Sequence, residues 1–116
     1  MDAGVYNKYM KETLTPTLEE VRTAVRIACA HRPVSRVEVF GSLAHGEAGA
    51  DSDVDLLVEF LPEASVGLFE MGALKEDIEE KLGCSIDLVS RRAVEKSTNP
   101  FRRKAILASP VTVYAR

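Results

Sequence analysis

Asp53 and Asp55 belong to a segment of mostly aliphatic residues, Asp53–Phe60, that is predicted to form a strand. Side chains alternate between the two faces of a strand, so residues two apart share a face, with Cα atoms roughly 6.5–7 Å apart. Both carboxylates could therefore bind one Mg²⁺, an ion that prefers oxygen ligands. Asp87 interrupts another apolar strand, Ser85–Val89, in the same way. A charge in an apolar strand is unfavourable unless it is paired or metal-bound, so the three carboxylates are candidate catalytic residues and metal ligands. The alternative is that each lies at a strand edge and is solvated.

Gly41 and Ser42 follow a further predicted strand, Ser35–Phe40, and precede a short helical turn. The backbone N–H groups of such a turn, together with the positive end of the helix dipole, can bind a phosphate. Glycine lets a triphosphate approach the backbone closely, and the serine hydroxyl can donate to a terminal phosphate. A Gly-Ser pair taken alone is more often simply a turn. Its place before the strand that carries the carboxylate pair favours a nucleotide-binding role.

Two stretches, Phe40–Glu47 and Ser52–Phe60, resemble the signature of the DNA polymerase beta-like nucleotidyltransferases. The short chain and the segment Ile86–Val89 make it similar to the minimal nucleotidyltransferase (MNT) subgroup. The resemblance spans about residues 18–114. It implies the nucleotidyltransferase fold, a small mixed β-sheet with helices packed on it.

The resemblance also implies roles for the residues above. Gly41 and Ser42 would bind the phosphates of a nucleoside triphosphate, and Asp53, Asp55 and Asp87 would hold divalent metal, two Mg²⁺ ions. The family transfers a nucleoside monophosphate to an acceptor, here AMP from ATP to a hydroxyl of a partner protein. Minimal members are commonly paired with a helical HEPN protein as antitoxin and toxin.

Two alternative functions remain. The chain could be a binding module that masks a HEPN-type partner without turnover. It could also transfer a nucleotide to a small molecule, although 116 residues leave little room for an acceptor-binding domain.

The chain departs from the family pattern after the Gly-Ser pair, where many relatives carry arginines and this sequence has Leu43 and His45. Arginine binds phosphate as a permanent, bidentate charge. Leucine cannot do so, and histidine is charged only part of the time near neutral pH. His45 is thus a further candidate nucleotide ligand, with an exposed loop residue as the alternative.

The predicted order of elements is helix, strand, strand, helix, strand, helix, which indicates an α+β domain over residues 1–116. Residues 1–14 are expected to form an arm or a short helix. The first helix is expected to begin at Thr15-Pro16 or at a capping box of Thr17 and Glu20, and to end before Pro33. The remaining predicted elements are a helix over Leu68–Leu82 with a left-handed cap at Gly83, a basic helical region over Arg91–Leu107 and an edge strand over Val111–Tyr114.

Composition limits the class of protein. The apolar content of 46% suits one globular domain, and the net charge of −3 disfavours direct nucleic-acid binding. No membrane span or secretory signal is visible, and two distant cysteines predict reduced thiols in a cytoplasmic protein. A homo-oligomer is possible.

Overall fold

The computed structural model describes residues 16–41, 54–96, 98–99 and 110–116. Within these ranges, four strands form one sheet in the order β3–β2–β1–β4, in which β1 is antiparallel to β2 and β4 while β2 is parallel to β3. The predicted α+β fold with a small mixed sheet is confirmed. The arm predicted for residues 1–14 and most of the region 97–109 lie outside the described residues. In chain order the elements are α1 (Leu18–Cys29), β1 (Val34–Phe40), β2 (Val54–Phe60), α2 (Leu68–Leu82), β3 (Ile86–Ser90), α3 (Arg91–Glu95) and β4 (Val111–Ala115).

Helix α1 begins at the predicted capping box. The Thr17 hydroxyl accepts a hydrogen bond from the Glu20 N–H at 3.1 Å, and the Glu20 carboxylate accepts one from the Thr17 N–H at 2.8 Å. These bonds satisfy two backbone donors that the first turn would otherwise leave unpaired. Of the two predicted starts, the structure therefore has the one at Thr17, and Pro16 precedes the cap.

Helix α1 ends at Cys29, three residues before the predicted end at Arg32. Pro33 disfavours the helical region only for the residue before it. The earlier end coincides with a contact that the sequence pattern does not reveal, because the Arg32 guanidinium folds back and donates to the Ala28 carbonyl oxygen. That bond satisfies one of the carbonyls that the last turn leaves open.

The main core lies between one face of the sheet and the two long helices. Helix α2 contributes Leu74, Ile78 and Leu82 at helical spacing, and Gly83 ends the helix in the predicted left-handed conformation with φ of 72°. Leu68, at the start of α2, is 91% exposed, whereas Met71, three residues further on, packs against the core. The other buried members include Val21, Val25, Cys29, Val37, Val39, Leu56 and Val58.

A smaller apolar cluster covers the opposite face of the sheet. Phe40, Leu57 and Val94 are buried there, and Val89 packs against them. Strand β2 is therefore covered on both faces, which explains its almost continuous apolar sequence and agrees with its predicted central position. None of the helices within the described ranges is long and apolar enough to cross a bilayer.

Candidate active site

Asp55 and Asp87 occupy directly opposite positions on neighbouring parallel strands. Each is the second residue of its strand, and the two are partners in the register of β2 and β3. Paired strands lie about 4.8 Å apart, and opposite residues project to the same face. Both aspartates therefore share the face of the small apolar cluster, since Leu57 follows Asp55 by two residues.

Gly41 lies directly against the Asp55 carboxylate. It follows the last residue of β1, Phe40, which is the register partner of Asp55. A Cβ added at Gly41 would lie 2.6 Å from Asp55 Oδ2, and the backbone there has φ of 75°. Both facts favour glycine, because a side chain would strain the backbone and collide with the carboxylate.

The structure thus brings together three residues predicted for the site, Gly41, Asp55 and Asp87. Asp53, Ser42 and His45 lie outside the described residues. Among the residues that are described, no group of three metal-ligating side chains is found. The two hard oxygen donors present, beside a backbone without a Cβ, fit Mg²⁺ and a phosphate.

Exposure differs between the two aspartates. Asp55 is half-buried, whereas Asp87 is exposed. The expectation that Asp87 is a charge inside a buried strand is therefore wrong, because β3 is an edge strand and its site face is open at this end. The candidacy of Asp87 rests instead on the face and the register that it shares with Asp55.

An ion pair on the same face was missed by sequence analysis. Glu38, on β1, is only 5% exposed and contacts the Arg91 guanidinium, which also lies 3.8 Å from the Glu95 carboxylate. Burial disfavours the charge on Arg91, but its pKa is raised overall because the hydrogen bond that Arg91 donates to Glu38 and the charges of the nearby carboxylates outweigh that effect. The sequence carries no local signal for this pair, because Glu38 stands between Val37 and Val39 as a solvent-facing strand residue would, and its partner is 53 residues away.

Residues 21–111 match the nucleotidyltransferase domain family. A relative in Thermococcus cleftensis, named protein adenylyltransferase MntA, is 38% identical over 86 residues, which cover 68% of this chain and 82% of the relative.

Two solved structures have a similar fold. One, described as a provisionally assigned minimal nucleotidyltransferase, has a TM-score of 0.64 and 38% identity and covers 83% of this chain and 95% of its own. The other contains the tri-AMPylated HEPN toxin of Shewanella oneidensis in complex with its MNT antitoxin. It has a TM-score of 0.59 at 13% identity, covers 86% of this chain and 74% of its own, and supports the fold alone.

Proposed function

We propose that this chain, which belongs to the nucleotidyltransferase domain family and is a nucleotidyltransferase, transfers AMP from ATP to a hydroxyl group of a HEPN-type partner protein. The observation that carries the proposal is the register pair of Asp55 and Asp87, with Gly41 against the Asp55 carboxylate. Such an arrangement would offer a metal ion two carboxylates beside a backbone that a phosphate could approach, and this supports the proposal. The reduced thiols and the nucleotide substrate fit an enzyme that acts in the cytoplasm.

The residues that follow β1 would bind the triphosphate. The backbone at Gly41 and the Ser42 hydroxyl would donate hydrogen bonds to phosphate oxygens, and His45 would add a partial positive charge. Asp53, Asp55 and Asp87 would together hold two Mg²⁺ ions. When bound, these ions neutralise phosphate charge and lower the pKa of the acceptor hydroxyl.

In the transfer, the acceptor oxygen forms a bond to the α-phosphorus of ATP. The bond from that phosphorus to the oxygen bridging the α- and β-phosphates breaks, and pyrophosphate leaves with the electron pair. Asp87, the more exposed aspartate, accepts the proton of the acceptor hydroxyl. No protein nucleophile is needed, because positioning and charge neutralisation supply the rate.

A protein partner is supported by the relatives. The Thermococcus cleftensis protein is named a protein adenylyltransferase, and the Shewanella oneidensis complex joins an MNT antitoxin to an AMPylated HEPN toxin. On this proposal, the chain is the antitoxin of such a pair, and modification of the partner neutralises it.

The test uses ATP labelled at the α-phosphate, Mg²⁺ and the HEPN-type protein of the same genome. The variant Asp53→Asn/Asp55→Asn and the variant Asp87→Asn should each lose at least about 100-fold of label transfer, the scale expected when charge stabilisation in an active site is removed. Glu80→Gln, at an exposed position on α2, is the matched charge-removing control and should transfer label normally.

The fold of the double variant is checked by circular dichroism. We expect it to melt no lower than the wild type without metal, because repulsion between neighbouring carboxylates is relieved. Full label transfer by the double variant would contradict the enzymatic mechanism. If transfer is lost but the variant still neutralises its partner, the chain acts by masking the partner, and the proposed role of AMP transfer is wrong.

A further inference from the structure

The connection that leads into β3 is short and is held at its first end by Glu79. Only Gly83–Ser85 separate α2 from β3. The Gly83 N–H donates to the Glu79 carbonyl oxygen at 2.7 Å, and the left-handed backbone at Gly83 turns the chain out of the helix. The backbone of Glu79 therefore fixes where the connection begins.

The side chain of Glu79 holds the other end of the same connection. Its Oε2 accepts a hydrogen bond from the Ile86 N–H at 3.0 Å, and Lys75 Nζ lies 3.2 Å from the same oxygen. The carboxylate is 26% exposed, so solvent screens this bond only in part. A hydrogen bond from a backbone N–H to a carboxylate is stronger than a bond between neutral groups.

The titration of Glu79 agrees with this geometry. The pKa of its carboxyl group is lowered, first by the hydrogen bond from the Ile86 N–H, against the opposing effect of burial, and then by Lys75. The group is therefore ionised at neutral pH, in the state that binds the amide most strongly.

Ile86 is the first residue of β3, and Asp87 follows it. The Ile86 side chain is buried in the main core, on the face of the sheet opposite to Asp87. The Ile86 N–H belongs to the peptide that joins Ser85 to Ile86, so an anchor on it fixes the backbone directly before Asp87. Together with the buried Ile86 side chain, this anchor limits how the start of β3 can turn, and that orientation sets the direction of the exposed Asp87 side chain relative to Asp55.

We propose that Glu79 is a positioning residue, which orients Asp87 toward Asp55 by holding the Ile86 amide. The inference rests on the proposed function of Asp87. It assigns to α2, a helix on the far face of the sheet, a role in the geometry of the active site. A displacement of about 1 Å at a reacting group can lower a rate by about 100-fold, so such an anchor affects turnover without touching substrate.

The test compares two conservative variants with two controls. Glu79→Asp keeps the charge but is one methylene too short to reach the Ile86 amide, whereas Glu79→Gln keeps an acceptor oxygen at full length. We expect Glu79→Asp to lower kcat by about 10-fold with the KM for ATP within about 2-fold, and Glu79→Gln to keep kcat within about 3-fold of the wild type. Lys75→Gln, which leaves the Ile86 bond in place, and Glu80→Gln should both behave as the wild type.

Amide hydrogen exchange of metal-free protein provides a second readout that is independent of turnover. Exchange at Ile86 should be faster in Glu79→Asp than in Glu79→Gln, and unchanged in Glu80→Gln. If Glu79→Asp accelerates this exchange but keeps the kcat of the wild type, Glu79 is only structural and the proposal is wrong. Equal loss of kcat in both Glu79 variants would also overturn it, because the loss would then not follow the presence of the bond to the Ile86 amide.

Failure of the proposed function is distinguishable from failure of this inference. If wild-type protein transfers no label, the proposed function fails. If Ile86 exchange is unchanged in Glu79→Asp, the Glu79 side chain does not hold the Ile86 amide, and this inference fails. If Glu79→Asp does not fold, Glu79→Gln still decides the question. A reduced kcat together with unchanged Ile86 exchange in that variant contradicts the positioning role.

Discussion

Gly41 is a site residue at which both the backbone conformation and the available space require glycine. Its backbone has φ of 75°, and Asp55 Oδ2 occupies the place where a Cβ would project. A left-handed backbone costs a residue with a Cβ about 1–2 kcal/mol. The collision at 2.6 Å adds to this cost, and only movement of the Asp55 carboxylate or of the turn can relieve it.

We therefore expect Gly41→Ala to lower the free energy of unfolding by about 1–2 kcal/mol or more and to reduce AMP transfer by about 10- to 100-fold. Denaturant titration and the labelled-ATP assay measure the two effects.

Gly72→Ala is the matched control for Gly41→Ala, because a Cβ at this helical position of α2 meets nothing within 4 Å. Alanine favours the helix over glycine, so this variant should gain about 0.5–1 kcal/mol and keep full activity. If Gly41→Ala keeps full activity like the control, the close approach of Asp55 has no role in transfer.

Part of this site could be predicted from residue types alone. The spacing of residues 53 and 55 assigns them to one face, and an aspartate in the next apolar strand suggested a partner. The register that places Asp87 opposite Asp55 is a long-range property, because it depends on how β3 pairs with β2 after a crossover through α2. The contact of Glu79 could not be predicted for the same reason, because its hydrogen bond with the Ile86 N–H forms only when α2 and β3 are packed together.

At the scale of elements, the end of α1 is tied to α2 by a group of charged side chains. Arg32 Nη1 lies 2.8 Å from Asp77 Oδ2, and Lys81, one turn along α2, contacts the other oxygen of the same carboxylate. The pKa of Asp77 is lowered, first by the hydrogen bond from Lys81 and then by the bond from Arg32. A carboxyl group with a lowered pKa stabilises the fold above its unfolded pKa, and this contribution is lost as the pH falls through the folded value.

We expect Asp77→Asn to be less stable than the wild type by about 1 kcal/mol at pH 7, the scale of two partly exposed ion pairs. Because the wild-type carboxylate is protonated in acid, this difference should shrink as the pH falls from about 5 toward 3. Denaturant titrations of both proteins at each pH measure it.

Glu76→Gln serves as the control for Asp77→Asn, since this neighbour on α2 is exposed. We expect it to lie within about 0.5 kcal/mol of the wild type at every pH. A deficit of Asp77→Asn that stays constant down to pH 3 would show that the ion pairs are not its source.

The elements themselves were predicted best where their signals are local. The capping box of Thr17 and Glu20 and the left-handed cap at Gly83 both stand where the sequence indicates. These features depend on residues three or four apart, so the sequence contains all of the information. The end of α1 was misplaced by three residues, and there the Arg32 side chain contacts both the Ala28 carbonyl oxygen and Asp77, which is 45 residues distant.

Across the whole molecule, the sheet carries two cores of unequal size. The large core is built with α1 and α2, whereas on the site face, within the part of the chain that the structure describes, the short helix α3 covers Phe40 and Leu57. The Glu38–Arg91 ion pair joins α3 to β1 across this smaller core. Arg91 is the first residue of α3, and Glu38 lies on β1, which is separated from β3 by β2. The ion pair therefore stabilises the packing of α3 against the strands that position the site.

A buried ion pair makes a distinctive prediction for single and double variants. Removing one partner leaves an uncompensated charge, which typically costs about 3–5 kcal/mol, whereas replacing both by apolar residues of similar size is often neutral. We expect Arg91→Met to show a loss of this scale, since Glu38 is only 5% exposed. The double variant Glu38→Met/Arg91→Met should lie within about 1 kcal/mol of the wild type.

The double variant separates a stranded charge from a simple loss of packing. Denaturant titration at about pH 7 should show a deficit in Arg91→Met that the further substitution Glu38→Met removes, because the unpaired carboxylate is then absent. Arg92→Met, at the adjacent exposed position, should remain within about 0.5 kcal/mol of the wild type. If the effects of the two single variants simply add in the double variant, Glu38 and Arg91 are not coupled, and α3 is held by its apolar contacts alone.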